Sequence, residues 1–277
     1  IMNQIAVVIP VYNGEHTIQK SITSLINQSF QDWNAVVVND GSTDNTLTLL
    51  NQIKDSRINV ISYNINKGRA YARQKALDYV VKNNFKYMCM LDADDIYLKD
   101  KLEFQFAFME EHTNVALMST SLGICNTNNK LYRVLEPFNK VEKFILKAYE
   151  DYKEVPHATS IIRVCKIDNN ISFDLKFKFG EDQDFMRRLL FQKEYIFYPK
   201  ITYLYNRDDS FSLKKYYKST VFRNISISNL PIPLTDKKVA ILKNNLKFCL
   251  VFMFVFLGLK KMYLNRMGRL PKQNELI

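Results

Sequence analysis

The chain lacks the residues that build several common kinds of site. Its four cysteines, Cys89, Cys125, Cys165 and Cys249, lie far apart and form no CxxC pair. That excludes a cysteine-based zinc site and a disulfide framework, and it leads us to expect reduced thiols in a cytosolic protein. Glycine is scarce, with seven in 277 residues, and neither GxxxxGK[ST] nor GxGxxG occurs. A Walker-type phosphate loop and a dinucleotide-binding Rossmann turn are thereby excluded, so any phosphate charge must be met by side chains and a metal ion. A strand expected from Ile5 leaves no room ahead of it for a signal peptide. The tail's apolar run, Phe248 to Leu259, is twelve residues long and bracketed by Lys247 and Lys260-Lys261. A spanning helix needs about 20 residues. An interfacial helix on an anionic membrane is the expectation, with a helix docked on its own domain as the alternative.

Acidic residues are also missing from the tail. Lys237 to Ile277 holds nine Lys/Arg and one acid, Glu275, so a net +8 of the chain's +11 lies there. The body is close to neutral and is not a general polyanion binder, and no nucleic-acid partner is expected.

What is present is an alternation of short apolar runs and helical stripes. Ile5–Ile9, Ala35–Val38, Ile58–Tyr63 and Tyr87–Leu91 read as strands. Between them, Ile18, Ile22, Leu25 and Ile26, then Leu49, Leu50 and Ile53, then Ala72, Ala76, Leu77, Val80 and Val81 recur at helical spacing. Thr43 or Asp44 is the expected N-cap of the second helix. The order βαβαβαβ calls for an α/β fold with a mostly parallel central sheet flanked by helices. Further on, Leu102–Met109 and Asp182–Phe191 read as helices, and Val115–Ser119, Ser160–Val164 and Tyr195–Tyr205 as strands. Pro231 and Pro233 punctuate the chain before the basic tail.

Asp92-Ala93-Asp94-Asp95 carries the most chemical information. It follows the fourth strand, and in open α/β sheets ligands collect beyond the carboxyl ends of strands. Three carboxylates placed together repel unless a cation lies between them, and such oxygen ligands suit Mg²⁺ or Mn²⁺ bridging to a diphosphate. The alternative is a polar turn in which Asp94 or Asp95 caps a helix. The other three strands end in Pro10-Val11-Tyr12-Asn13-Gly14, in Asp40-Gly41-Ser42-Thr43-Asp44, and in Asn66-Lys67-Gly68-Arg69 with Arg73 one turn on. Parallel strands bring these loops to one rim. An aromatic ring, an acid, bases and metal-type carboxylates together are what a nucleoside diphosphate needs.

These four blocks, in this order and spacing, resemble those of inverting glycosyltransferase family 2, of the bacterial surface-polysaccharide type and with the GT-A fold. The resemblance is strong over residues 4–100, extends to about 213 and is absent beyond. It implies a GT-A catalytic domain over 1–213, with a nucleotide-sugar half at 1–100 and an acceptor half at 101–213. Residues 214–277 would form a basic helical extension. It further implies that Pro10 and Tyr12 flank the uracil or other base and that Asp40 binds it through N–H groups. Gly68 would allow close approach, Arg73 would contact the nucleotide, and Asp92, with Ala93 beside it, would lie near the ribose. Asp94 would ligate Mg²⁺ or Mn²⁺ beneath the pyrophosphate. Gly180-Glu181-Asp182-Gln183 resembles the family's Glu-Asp motif, which makes Asp182 the expected general base. Capping of the helix that follows is the structural alternative for Asp182. Glu181 would position the acceptor or a donor hydroxyl, His157 would line the acceptor side, and Arg207 would meet the phosphate in a loop interrupted by Asp208 and Asp209.

The implied activity is metal-dependent, inverting transfer of a sugar, of the hexosyltransferase type. The donor would be a nucleotide-sugar, with UDP-sugars the expected class. The acceptor would be a saccharide or lipid-linked saccharide hydroxyl in capsule, O-antigen or lipooligosaccharide synthesis, at the inner face of the cytoplasmic membrane. A sugar nucleotidyltransferase would need a Gly-rich triphosphate loop near the N-terminus, which Pro10–Asn13 does not offer. A degenerate GT-A scaffold is the non-enzymatic alternative, and Asp92, Asp94 and Asp182 speak against it.

Overall fold

The computed structural model describes residues 4–126, 130–147, 152–206, 212–259 and 269–275. Among the described residues, ten strands form one sheet in the order β3-β2-β1-β4-β9-β6-β10-β5, with β7 paired to β6 and β8 to β10. The first four strands are parallel: β1 (Ile5–Val11), β2 (Trp33–Asp40), β3 (Ile58–Tyr63) and β4 (Tyr87–Met90). Their crossovers are α1 (Ile18–Ile26), α2 (Thr46–Asn51) and α3 (Arg69–Lys82). The second half is mixed. β5 (Ile96–Tyr97) runs antiparallel to β10 (Glu194–Asn206), and β9 (Ile161–Arg163) runs antiparallel to both β4 and β6 (Val115–Cys125). Strands β7 (Leu131–Leu135) and β8 (Glu142–Ile145) lie off the main path.

Period-two alternation along β1 feeds two cores. Ile5, Val7 and Ile9 pack with Ile18, Ile22 and Leu25 of α1 and with Leu102 and Met109 of α4 (Lys101–Glu111). Ala6 and Val8 pack with Ala72, Ala76, Leu77 and Val80 of α3 and with Phe185, Met186, Leu189 and Leu190 of α5 (Glu181–Leu190). The sheet is covered on both faces, so β6 is buried along all eleven residues, and its polar centre, Ser119 and Thr120, is hydrogen-bonded to Thr159 and Thr202.

Several local expectations shift. Val81 is exposed rather than part of the α3 stripe. The N-cap of α2 is Asn45, while Asp44 accepts the Thr46 N–H at 3.0 Å from just ahead of it. Asp94 and Asp95 cap nothing, because β5 follows them and α4 begins only at Lys101 after its N-cap, Asp100.

After β10 comes a helical hairpin, α6 (Leu213–Asn229) and α7 (Leu234–Phe256). The short apolar run belongs to a helix of 23 residues that is long and apolar enough, by length and composition, to cross a membrane. It outgrows the run because lysine and asparagine at 243–247 are tolerated in a helix and project from its surface or onto α6. Past Leu259, the next described residues return to the body. Arg269 bridges to Val134 in β7 and pairs with Glu136 at 2.9 Å and Glu275 at 2.7 Å.

Candidate active site

The four loops at the carboxyl ends of β1, β2, β3 and β4 converge on one cleft of about 630 Å³. Pro10, Tyr12, Asp40, Gly68, Asp92, Ala93 and Asp94 all line it. Tyr12 is half exposed, leaving a ring face open to a planar ligand.

Backbone-to-side-chain bonds hold the loops together. Asn13 N donates to Ser42 Oγ at 2.9 Å, and Thr43 N donates to Asn13 Oδ1 at 2.8 Å. Gly14 N reaches Thr46 Oγ1 at 2.8 Å, and Glu15 N reaches Asp44 Oδ2 at 3.0 Å. The loops after β1 and β2 are thereby clipped into one unit before any ligand arrives. The third loop is tied to the second by Asp40, whose carboxylate accepts from Lys67 N at 2.9 Å and Gly68 N at 2.7 Å. Asp40 is thus first an anchor for the third loop, and it is nearly buried where it meets the cleft that it lines. Gly68 has φ +93° and nothing within 4 Å of where a Cβ would stand, so the backbone there is bare to the cleft. Gly41, at φ +69°, lets the second and third loops touch: a Cβ would lie 2.4 Å from Asn66 N.

The aspartate run divides. Asp92 and Asp94 line the cleft, but Asp95 turns inward, contrary to the expectation of three carboxylates thrust out. It is fully buried, accepting from Tyr203 OH at 2.7 Å and Asn206 N at 2.9 Å, and so fixes the turn against β10. Burial, then the Asp92 and Asp94 charges, push its carboxyl up to about 9. Tyr203 OH also accepts the Asp92 N–H at 3.2 Å. Burial, and after it the Asp92 charge, push the Asp94 carboxyl up as well, against a smaller opposing pull from Arg69.

Behind the cleft, α5 brings the Glu181-Asp182 pair to α3. Arg73 is only 4% exposed and does not line the cleft. Its guanidinium donates to Glu181 Oε1 at 2.8 Å and to Asp92 Oδ1 at 3.1 Å, while its Nε is buried without a hydrogen-bond partner among the described residues. Arg69, one turn earlier, lines the cleft and pairs with Glu181 at 3.3 Å. Burial works against the Arg73 charge, but Asp92, Asp182 and Glu181 hold its pKa above the ordinary arginine value. Glu181 is buried in this network and has no open face for an acceptor.

Asp182 lies in the first turn of α5 but is not its cap. The N-cap is Gly180, and the Asp182 carboxylate accepts only the Gln183 N–H, at 2.8 Å, among the hydrogen bonds of the described residues. Burial raises its pKa, but Arg73, His157, the Gln183 N–H and Arg69 together bring it below the usual carboxylate value. His157 is buried nearby, against Phe173 and Phe185, with no hydrogen-bond partner for Nε2. Burial and Arg73 push its pKa down to about 4, so it is neutral. Arg207 lies outside the described residues.

Sequence reasoning missed Tyr203, whose hydroxyl organises the aspartate turn, and the part played by Arg69. Tyr203 carried no local signal; Arg69 carried one, since it opens α3 beside Gly68. Among the described residues, no group of three or more His, Cys, Asp or Glu is arranged to hold a metal. Asp94 and Asp92 fit Mg²⁺ or Mn²⁺ in a different way. Such ions keep one or two protein carboxylates and take their other ligands from water and phosphate, and a cation would offset the burial and the neighbouring Asp92 charge that raise the Asp94 pKa.

Solved structures share this architecture. S. aureus TarS 1-349 in complex with UDP superposes with a TM-score of 0.67 at 22% identity, covering 98% of this chain and 76% of that one. The mannosyltransferase PcManGT from Pyrobaculum calidifontis, in complex with GDP-Man and Mn²⁺, gives 0.63 at 13% identity, covering 90% and 70%. The fold is therefore GT-A. Among curated proteins, the Escherichia coli UDP-Glc:alpha-D-GlcNAc-diphosphoundecaprenol beta-1,3-glucosyltransferase WfgD is 34% identical over 143 residues, 50% of this chain and 55% of that one. The putative teichuronic acid biosynthesis glycosyltransferase TuaG of Bacillus subtilis is 39% identical over 111 residues, 39% of this chain and 43% of that one. The chain spans about half the length of the curated relatives it matches. The model of glycosyl transferase family 2 matches residues 6–169, more than half of the sequence, and the chain belongs to that family.

Proposed function

We propose that the protein is an inverting glycosyltransferase that moves a sugar from a nucleotide-diphosphate donor, a UDP-sugar by preference, to a hydroxyl of a saccharide or lipid-linked saccharide. Assembly of a bacterial surface polysaccharide is the setting, as the names of WfgD and TuaG suggest by similarity.

The observation that carries this reading is the Arg73 bridge. It joins Asp92, on the cleft wall, to Glu181, the residue next to Asp182. Asp182 follows Glu181 in the first turn of α5, beside this bridge, although it does not itself line the cleft. The base would stack on Tyr12 beside Pro10, with Asp40 accepting its N–H groups. The ribose would lie against Asp92 and Ala93, and the bare backbone of Gly68 would admit the diphosphate, with Arg69 beside it. Mg²⁺ or Mn²⁺ held by Asp94 would neutralise the diphosphate as it leaves.

Asp182, ionised at neutral pH, would accept the proton of the acceptor hydroxyl as the new bond to C1 forms and the bond from C1 to the diphosphate breaks. One displacement inverts C1, so an α-linked donor gives a β-linkage. His157, neutral and within electrostatic reach of Asp182, would shape the acceptor side without competing for that proton.

The test is a panel of nucleotide sugars offered to the full chain with Mn²⁺, scoring slow donor hydrolysis and then transfer. Asp182→Asn should keep donor binding and lose turnover by about 10²- to 10⁴-fold. Retained turnover would assign the base elsewhere.

A further inference from the structure

The α6–α7 hairpin is welded to the body along one side. Arg187 of α5 donates to Ser226 Oγ of α6 at 3.2 Å, and Glu154 sits between Arg187 at 2.9 Å and Arg223 at 3.2 Å. On α7, Ala240, Asn244 and Val251 are the buried residues. Asn244 Nδ2 donates to Asn224 Oδ1 at 2.6 Å and to Thr220 O at 3.3 Å, and Asn224 Nδ2 donates to Asn245 Oδ1 at 2.8 Å.

The opposite side of α7 has a different character. Val239, Leu242, Leu246, Leu250, Met253 and Leu257 recur at spacings of three and four, so they form one stripe along the helix. Each is between 44% and 59% exposed, and Phe252 and Phe256 widen the stripe at its far end. A continuous apolar face of this length is not an ordinary solvent surface. Exposed Lys243 and Lys247 run along its flank. Over residues 212–259 there are eight Lys/Arg and a single acid, Asp236.

We propose that this face of α7 is a docking surface for an anionic lipid bilayer, with the helix lying along the interface. The charge argues for lipid: a second copy would bring the same basic surface against itself, whereas anionic headgroups complement it. The packing argues for lying rather than crossing. Insertion across the bilayer would carry Lys243 and Lys247 into hydrocarbon and strip Asn244 of its bonds to α6, whereas an interfacial pose buries only the stripe and leaves the lysines at headgroup level. This surface is independent of the sugar-transfer chemistry.

The test uses the full chain and vesicles of phosphatidylcholine with or without phosphatidylglycerol. Co-sedimentation should require phosphatidylglycerol and weaken as salt rises. Leu246→Glu/Leu250→Glu/Met253→Glu and, separately, Lys243→Glu/Lys247→Glu should each lower vesicle affinity by about tenfold or more. Thermal stability and donor binding should stay unchanged, since these side chains are exposed and remote from the cleft. A solvatochromic dye on Cys249, which is exposed on α7, with Cys165→Ser to remove the other exposed thiol, should shift blue on anionic vesicles only. Equal binding to both vesicle types, or unaltered affinity of both variants, would overturn the proposal. So would a concentration-dependent dimer broken by the glutamate substitutions without vesicle binding, or a bound form that resists high salt and alkaline extraction as a spanning helix would.

Discussion

The Arg73 guanidinium lies 2.8 Å from the Glu181 carboxylate, joining α3 to α5 behind the cleft. Both side chains are almost wholly buried, at 4% and 2% exposure, and Asp92 shares the same guanidinium. A buried charge whose partner is removed costs far more than a surface pair gains.

Arg73→Ala should therefore leave Glu181 with only the more exposed Arg69, at 3.3 Å, and deprive Asp92 of its buried guanidinium, and cost about 3–5 kcal/mol of stability. Arg73→Lys should recover only part of this, because one ammonium cannot span both carboxylates as a planar fork does. Urea denaturation of the three proteins checks it; an unchanged midpoint for Arg73→Ala would show that the bridge carries no stability.

Gly41→Ala probes how the loops are organised. The residue sits at φ +69°, and its new methyl would press on the backbone of Ile65 and Asn66 at 2.4–2.9 Å. Backbone offers no rotamer through which to yield, so the third loop must move away from Asp40. We expect a loss of more than about 1 kcal/mol from the left-handed conformation alone, together with weaker nucleotide binding. Calorimetric titration with UDP reads the second effect, and wild-type affinity would mean that the loops are not preset by this contact.

His157 should give stability a dependence on acid. Its folded pKa, depressed to about 4, lies below the ordinary 6.5. As pH falls below 6.5 the unfolded chain takes up a proton that the folded chain refuses, so stability drops between pH 6.5 and 4 and is untouched by this group above 6.5. His157→Phe should remove that part of the slope, worth about 2 kcal/mol at pH 5. Denaturation curves at pH 5 and 7.5 test it: an identical difference in both proteins would sink the assignment.

Asp94 should separate metal from nucleotide. UDP with Mn²⁺ should raise Tm beyond the effect of UDP alone. Asp94→Ala should abolish the Mn²⁺ increment and spare the rest, which depends on Tyr12 and Asp40. A full Mn²⁺ increment in the variant would place the ion on other ligands.

Much of this protein was legible in its sequence because the relevant signals are local. The apolar runs of β1 to β4 and the stripes of α1 and α3 fall where their periodicities place them. A parallel sheet then forces the four following loops to one rim, so the sequence alone groups the residues that line the cleft. Asp95 was misread for the same reason. Within Asp92–Asp95 nothing distinguishes one carboxylate from another; the distinction comes from Tyr203 and Asn206, over a hundred residues away. For Arg73, its place one turn after the third loop suggests a nucleotide contact, whereas its bond to Glu181, which reaches it from α5, has no local signal.

The sequence by itself determined the parallel half of the sheet, the four loops at its rim and the excess of positive charge at the end of the chain. These follow from hydrophobic period, turn chemistry and composition, which act over a few residues at a time. Only the tertiary structure decided which carboxylates are spent inside and which face the cleft, that Asp182 stands within electrostatic reach of Arg73, and that α7 turns an apolar stripe outward. Those outcomes depend on partners brought together by packing, and a buried charge or a helix face takes its role from whatever neighbour the fold supplies.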